Sequence, residues 1–231
     1  MHLLIPAAGI GKRMGGTDNK LHLSLLGKSL LSWTLKAAVA AEQIEWIGVI
    51  GQPYDFDRFQ AVISQLPPQG HVPIQLIQGG DTRQASVFNG LQALPSQAQR
   101  VLIHDGARCL ATPDLFNRCS KALTECSGCI AAIPVKDTIK VVNDDGWITD
   151  TPNRQQLWAA QTPQGFDVAL LKQCHHQGWE QQWQVTDDAA LLEKCGHPVK
   201  MVPGEETNLK ITTPVDLAIA EFILRQRSGS I

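Results

Sequence analysis

No apolar run in the 231 residues approaches the ~18 positions of a membrane-crossing helix, so no helical span is expected. An excess of either charge is also missing. Twenty basic residues face 22 acidic ones for a net charge of −2, which leaves no electrostatic footprint for nucleic acid or an anionic membrane. Any anion must therefore be bound locally. Cysteine is sparse: Cys109, Cys119, Cys126, Cys129, Cys174 and Cys195 are too dilute for a disulfide scaffold. Cys126-Ser-Gly-Cys129 has metal-like or redox spacing, but no second such pair or neighbouring His completes a tetrahedral site, and free thiols are expected. Repeats, low-complexity segments and Pro/Gly-rich linkers are absent, which argues for one domain spanning 1–231. A first strand directly after Met1 leaves no room for a leader, so a cytoplasmic location is expected. No Ser/His/Asp or Cys/His nucleophile arrangement stands out from spacing.

What is present is concentrated at the start. Leu3 to Ala7 can be a buried strand, and it runs into a loop with Gly9, Gly11, Gly15 and Gly16, along which Lys12, Arg13 and Lys20 are spaced. Glycine lets successive N–H groups approach an anion closely, and the basic side chains neutralise its charge. Two phosphate-loop patterns fail on inspection. The GxxxxGK[ST] motif would need Gly where His22 stands before Gly27-Lys28-Ser29, and GxGxxG beginning at Gly9 ends in Met14. The dinucleotide motif also needs an acidic ribose anchor, and Ser29 to Ala41 contains no Asp or Glu, which counts against an oxidoreductase. A glycine-rich turn after a strand can also be only a turn.

Strands and helices alternate downstream. Ser29 to Ala41 reads as a helix and Trp46 to Ile50 as a strand. Asp55 is placed to cap a helix carrying Phe56, Phe59, Ile63 and Leu66 that Pro67-Pro68 stops. Ile74 to Ile77, Val101 to His104 and Cys129 to Pro134 read as further strands. A helix with Phe88, Leu91 and Leu94, and one starting at Thr112-Pro113, separate them. The rhythm predicts an α/β fold with a mostly parallel sheet flanked by helices and a ligand cleft at the strand carboxyl ends. The glycine loop, Gly79-Gly80-Asp81 and Asp105 all fall there and should share that cleft.

At Lys136 the rhythm breaks. Thr138 to Val142 and Trp147 to Thr151 bracket Asn143-Asp144-Asp145-Gly146, a hairpin signal. A lone ribbon is marginal in water, so this arm, at about 136–154, is expected to lie on a second subunit; a hairpin folded onto its own sheet fits the same pattern. Asp167 to His176 then reads as a helix, Thr186-Asp187-Asp188 as the capped start of another, and Val199 to Val202 and Asn208 to Ile211 as short strands. Thr213-Pro214 opens a final helix ending near Arg227.

Several of these residues could carry chemistry. Lys20 and Arg13 could reach phosphates held by the glycines. Asp105-Gly106-Ala107-Arg108 sets a carboxylate and a guanidinium at one strand end, which suits Mg²⁺ bridged to substrate phosphates; an internal ion pair is the lesser alternative. Arg83 and Ser86 could serve a base or ribose, or only a helix start. Lys210 lies on a mostly apolar strand segment, where it either meets an anion or serves as an edge-strand solubility lysine.

Together the motifs resemble the 2-C-methyl-D-erythritol 4-phosphate cytidylyltransferase family over essentially the whole chain. Pro6-Ala7-Ala8-Gly9-Ile10-Gly11-Lys12-Arg13-Met14 is similar to the signature loop of sugar nucleotidyltransferases in general. The narrower likeness lies in Gly79-Gly80-Asp81 with Arg83 and Ser86, His104 to Arg108, Asp137-Thr138, Leu157-Trp158 with Thr162-Pro163-Gln164, Thr186 to Ala189, and Asn208 to Thr212. The resemblance implies a Rossmann-like fold and CMP transfer from CTP to the sugar-alcohol phosphate with Mg²⁺ or another divalent cation. Ribitol 5-phosphate cytidylyltransferase is the alternative that shares the nucleotide half. It implies nucleotide contacts from Pro6, Ala7, Ala8, Gly9, Gly11, Gly80, Asp81, Ser86 and Gly106, and a triphosphate held by Arg13, Lys20 and Lys210. Asp105, Arg108, Thr162, Thr186 and Thr212 would line the acceptor side, with Asp105 the nearest candidate for the metal. It implies a homodimer whose interlocked arms bring Thr138 and Arg154 to the substrate phosphate across the interface. Two positions depart from the family pattern: Gly106 stands where Ala is usual and Cys109 where Pro is usual, which bears on the rigidity of that turn.

Overall fold

The computed structural model describes residues 1–9, 18–66 and 72–229. Strand β1 (His2–Pro6) is followed by a small hairpin of β2 (Ser24–Leu25) and β3 (Lys28–Ser29), then α1 (Leu30–Val39), β4 (Trp46–Gly51), α2 (Phe56–Ser64), β5 (Ile74–Gln78) and α3 (Arg83–Gln92). Next come β6 (Arg100–Ile103), α4 (Pro113–Ala122), β7 (Gly128–Pro134) and the arm strands β8 (Val141–Val142) and β9 (Ile148–Asp150). The chain closes with β10 (Trp158–Asp167), α5 (Val168–Glu180), α6 (Asp188–Lys194), β11 (Lys200–Pro203) and α7 (Pro214–Arg227).

Seven strands form one sheet in the order β11-β7-β10-β6-β1-β4-β5. All neighbours run parallel except β10, which is antiparallel to both β6 and β7. The sheet separates two cores, as the strand side-chain period of two requires. Leu3, Ile5 and Leu102 pack on one face with residues of α1, α2, α4 and α7. Leu4, Val101 and Ile103 pack on the other with residues of α3, α5 and α6. Helix starts follow from local chemistry: the hydroxyls of Thr112 and Thr213 accept from the third helical N–H, with Pro at the first helical position.

Three expectations are corrected. No strand is expected between the arm and α5, yet β10 lies inside the sheet between β7 and β6; its Thr162-Pro163 breaks the apolar run, and the pairing shifts register between Ala160 and Gln164. Asn208 to Ile211 is not a strand. Its backbone and side chains bond to a turn and to β10 instead, with Ile211 N–H donating to Ala107 O at 2.9 Å and Asn208 Nδ2 to Thr162 O at 2.8 Å. Asp55 stands at the start of α2 without bonding to its N–H groups. Pro67 and Pro68 lie outside the described residues.

Candidate active site

The carboxyl ends of β1, β4, β5 and β6 open into a cleft of about 520 Å³. Pro6, Ala7, Ala8 and Gly9 line one side and Gly80, Asp81, Arg83 and Ser86 another, with Asp105, Gly106 and Ala107 below and Lys20 and Lys210 at the edge. The sequence motifs thus meet in one place. Gly11 and Arg13 lie outside the described residues.

Asp105 is the electrostatic centre. Lys210 Nζ is 2.8 Å from its Oδ2, Arg108 Nε 3.8 Å from the same atom, and Arg83 Nε 3.9 Å from Oδ1. Burial alone would raise its carboxyl, but Lys210, then Arg83 and Arg108, hold it below the ordinary carboxylate range. Arg83 is anchored from behind by Asp188, only 1% exposed, at 2.8 Å. Burial works against its charge, and Asp188 and Asp105 outweigh that effect. Gln164 sets Asp188 in place by accepting from the N–H groups of Asp188 and Ala189, each at 3.2 Å. Arg108 donates to Asn208 O at 2.7 Å and to Ala160 O at 3.4 Å, and its buried Nε has no hydrogen-bond partner among the described residues. Arg83, Arg108 and Lys210 thus gather around Asp105, with Asp188 behind Arg83, and Lys20 adds a fourth cation at the edge of the cleft, an environment that stabilises added negative charge.

The turn carrying these charges is held by a buried relay. His104 is fully buried and edge-on to Phe116. Burial lowers its imidazole to about 4. Its Nε2–H donates to the Arg108 carbonyl at 3.2 Å, which leaves Nδ1 to accept from the Thr162 hydroxyl at 3.1 Å. The same hydroxyl accepts from the Asp105 N–H at 3.0 Å. Thr162, 4% exposed, therefore supports the turn from within the protein and does not line the cleft. The two departures at this turn also have physical explanations. A Cβ at Gly106 would come within 2.8 Å of Leu21 Cδ1, so this chain fills with Leu21 the space an alanine would take. Cys109 is buried in the core and burial pushes its thiol up to about 12, so it packs as an inert apolar residue.

Other predicted residues are placed less directly. Ser86 lines the cleft, but its hydroxyl accepts from Gly80 N–H at 3.0 Å and donates to Thr82 O at 2.8 Å, tying the Gly80 turn to α3. Thr212 donates to Asp216 Oδ2 at 2.8 Å, and Thr186 is exposed; neither lines the cleft. Thr138 and Arg154 lie on the arm, away from the lining, with Arg154 Nη1 donating to Lys136 O at 2.9 Å. Residues missed from sequence include His104, Asn208, Asp188 and Gln164 in supporting roles, and Gln52 and Tyr54 in the lining. His104, Asn208, Asp188 and Gln164 all fall within motifs visible in the sequence, but their partners are distant along the chain.

The fit of a divalent cation can be judged from the donors. Mg²⁺ favours one or two carboxylates with free oxygens and substrate phosphates. Asp105 is already engaged by three cations, which leaves its carboxylate poorly suited to holding the metal without substrate phosphates; Asp81 is the other carboxylate in the lining. Asp18, His22 and Asp55 form the metal-like cluster found among the described residues.

A family model for IspD, 2-C-methyl-D-erythritol 4-phosphate cytidylyltransferase, matches residues 1–226. The chain is 72% identical over 229 residues to the protein of that name from Synechocystis sp., covering 99% of each. Among solved structures it is similar to the 4-diphosphocytidyl-2C-methyl-D-erythritol synthase of Anaerococcus prevotii, with a TM-score of 0.86, 33% identity and 97% of each chain covered. It is also similar to the 2-C-methyl-D-erythritol 4-phosphate cytidylyltransferase of Thermus thermophilus, with a TM-score of 0.76, 34% identity and coverage of 96% of this chain and 98% of that one.

Proposed function

Because the chain belongs to the 2-C-methyl-D-erythritol 4-phosphate cytidylyltransferase family, we propose that the cleft around Asp105 is where it joins its two substrates. The protein transfers CMP from CTP to 2-C-methyl-D-erythritol 4-phosphate, giving 4-diphosphocytidyl-2-C-methyl-D-erythritol and pyrophosphate, in non-mevalonate isoprenoid precursor synthesis. The observation that carries the assignment of roles is the meeting of Lys20, Arg83 and Lys210 in the lining of one strand-end cleft beside the glycine segment, with Arg108 behind Asp105.

CTP lies along Pro6 to Gly9, with its base toward Gly80, Asp81 and Ser86 and its ribose over Gly106. An acceptor phosphate oxygen attacks the α-phosphorus in line; a phosphorus–oxygen bond forms to the acceptor, and the bond to the β-phosphate oxygen breaks as pyrophosphate leaves. The attacking oxygen is already ionised, so the step needs no general base. Lys20, Lys210 and Arg13 stabilise the charge gathering on the α- and leaving phosphates. Asp105 accepts from an acceptor hydroxyl while Arg108 faces its anionic end, and the His104–Thr162 relay keeps the pair in register. A divalent cation carried by the phosphates would neutralise charge on the leaving pyrophosphate.

The arm completes the site from a second copy of the chain, where Thr138 and Arg154 meet the acceptor phosphate. Its exposed apolar side chains support this role: Trp147 is 71% exposed, Ile148 61% and Val142 54%. The same reading assigns the reaction to the cytoplasm, where CTP is available to it. Pyrophosphate release with CTP and each acceptor is the test. Release with methylerythritol phosphate, absent with ribitol 5-phosphate, UTP or ATP, is expected; preference for ribitol phosphate would overturn the acceptor.

A further inference from the structure

A buried polar knot behind Lys20 is not used by the chemistry above. Asp55 is 2% exposed and stands where a helix cap would, yet it makes no hydrogen bond to the N–H groups of α2. Its Oδ2 accepts from Asn19 Nδ2 at 2.8 Å and its Oδ1 from His22 Nε2–H at 2.9 Å. Asn19, also buried, donates from Nδ2 to Ala7 O at 2.6 Å and accepts from Leu21 N–H at 3.1 Å. Residues 20–22 form a single 3₁₀ turn capped by Asn19 and ending at His22, so Lys20 lies between the two side chains that hold the carboxylate.

Two consequences follow from that geometry. A carboxylate is unfavourable in a core unless its oxygens are satisfied, and here both are satisfied by residues flanking one lysine rather than by the helix Asp55 begins. Asn19 also joins the turn to Ala7 at the end of β1, which lines the cleft. The backbone under Lys20 and the backbone under the nucleotide are thereby tied to one anchor. Lys20 itself lines the cleft, and its Nζ donates to Ile211 O at 2.9 Å.

We propose that Asp55 is a positioning residue that acts through Asn19 and His22 to hold the Lys20 ammonium where charge develops on the α-phosphate. The proposal rests on the role given to Lys20 above. The same atoms raise a metal alternative, because Asp18, His22 and Asp55 each place one donor within 4.8 Å of the others. The hydrogen bonds favour the positioning role: Asp18 is exposed and paired with Arg58, and both Asp55 oxygens are already occupied.

The test is a double-mutant cycle on the full chain, with kcat and both KM values measured for wild type, Asp55→Asn, Lys20→Ala and the double variant. Asparagine cannot accept from both Asn19 and His22. We expect Asp55→Asn to lower kcat about tenfold or more with Lys20 present and less than about twofold in the Lys20→Ala background, with KM for the acceptor little changed. Equal fold-losses in the two backgrounds would reduce Asp55 to a fold-stabilising residue. If Asp55→Asn fails to fold, His22 carries the test. His22→Gln keeps an N–H donor toward Asp55 and should lose less kcat than His22→Leu; equal losses would sink the proposal. A stoichiometric divalent ion in the purified wild type that is missing from Asp55→Asn would replace it with the metal assignment. A wild type inactive with CTP and methylerythritol phosphate would overturn the parent reaction and this proposal together.

Discussion

The turn at Asp105 and the hairpin arm lie within about fifty residues of each other in sequence and are built on opposite terms. At the turn the main polar groups are answered inside the chain: Thr162 takes the Asp105 N–H, His104 takes the Arg108 carbonyl, and Lys210 pairs with the Asp105 carboxylate. On the arm, β8 and β9 pair only with each other among the described residues, and Val142, Trp147 and Ile148 are exposed. A cleft whose charges must stand at fixed distances needs that internal over-determination, because electrostatic stabilisation falls off when the groups have to reorganise. A ribbon with an uncovered apolar surface is built to gain its order from another surface.

That contrast can be broken most sharply at Lys20. Lys20→Ala is expected to lower kcat by ~10²- to 10³-fold, the scale of losing one transition-state charge contact, with the melting temperature little changed. Steady-state kinetics with a thermal melt check it, and an unchanged kcat would return Lys20 to the surface. On the arm, Arg154→Ala is expected to raise KM for the acceptor by ~10-fold or more while leaving KM for CTP within about twofold, which corresponds to one lost charged hydrogen bond. Comparable rises for both substrates would remove Arg154 from the acceptor phosphate.

Mixing these two variants at an acceptor concentration well below KM, where each alone is impaired, tests whether the site is shared. If the arm of one copy completes the cleft of the other, each heterodimer has one intact site, and random exchange restores about a quarter of wild-type activity. No recovery after demonstrated subunit exchange would confine each site to its own chain.

The remaining expected effect is on stability at the turn, not on turnover. Burial lowers the folded His104 to about 4 from its ordinary 6.5, so the native state resists a proton that the unfolded chain accepts. Its neutral form contributes fully above pH 6.5, and the contribution is lost as pH falls from 6.5 toward 4, by about 3 kcal/mol at most. Asp105 is depressed as well, so its contribution is present above the ordinary carboxylate range and is lost in stronger acid as pH falls through its folded value. Denaturant unfolding across pH 4 to 7 should show that loss in wild type and a flatter profile in His104→Asn. Parallel profiles would mean that His104 does not titrate as its burial requires.

Some of this protein was settled along the chain itself. The alternation that sends Leu3 and Ile5 to one core and Leu4 to the other, the Thr-Pro starts of α4 and α7, and the Asp144-Asp145-Gly146 turn of the arm all answer needs met by near neighbours in sequence. The glycine segment, Gly80-Asp81 and Asp105 could be placed in one cleft because parallel strands deliver their carboxyl ends to one edge. Side-chain partnerships across long separations were decided only by the fold. Thr162 looked like an acceptor contact until β10 entered the sheet antiparallel and turned its hydroxyl beneath Asp105. Asp55 looked like a helix cap, and Asn208 to Ile211 like a strand, because each has the local pattern. Their hydrogen bonds go instead to Asn19 and His22 and to β10 and the Ala107 turn. Arg83 and Asp188 meet across 105 positions. Periodicity and capping are fixed by bonds within a few residues, whereas a buried charge finds its partner only after the sheet has set which distant side chains share the same dry space.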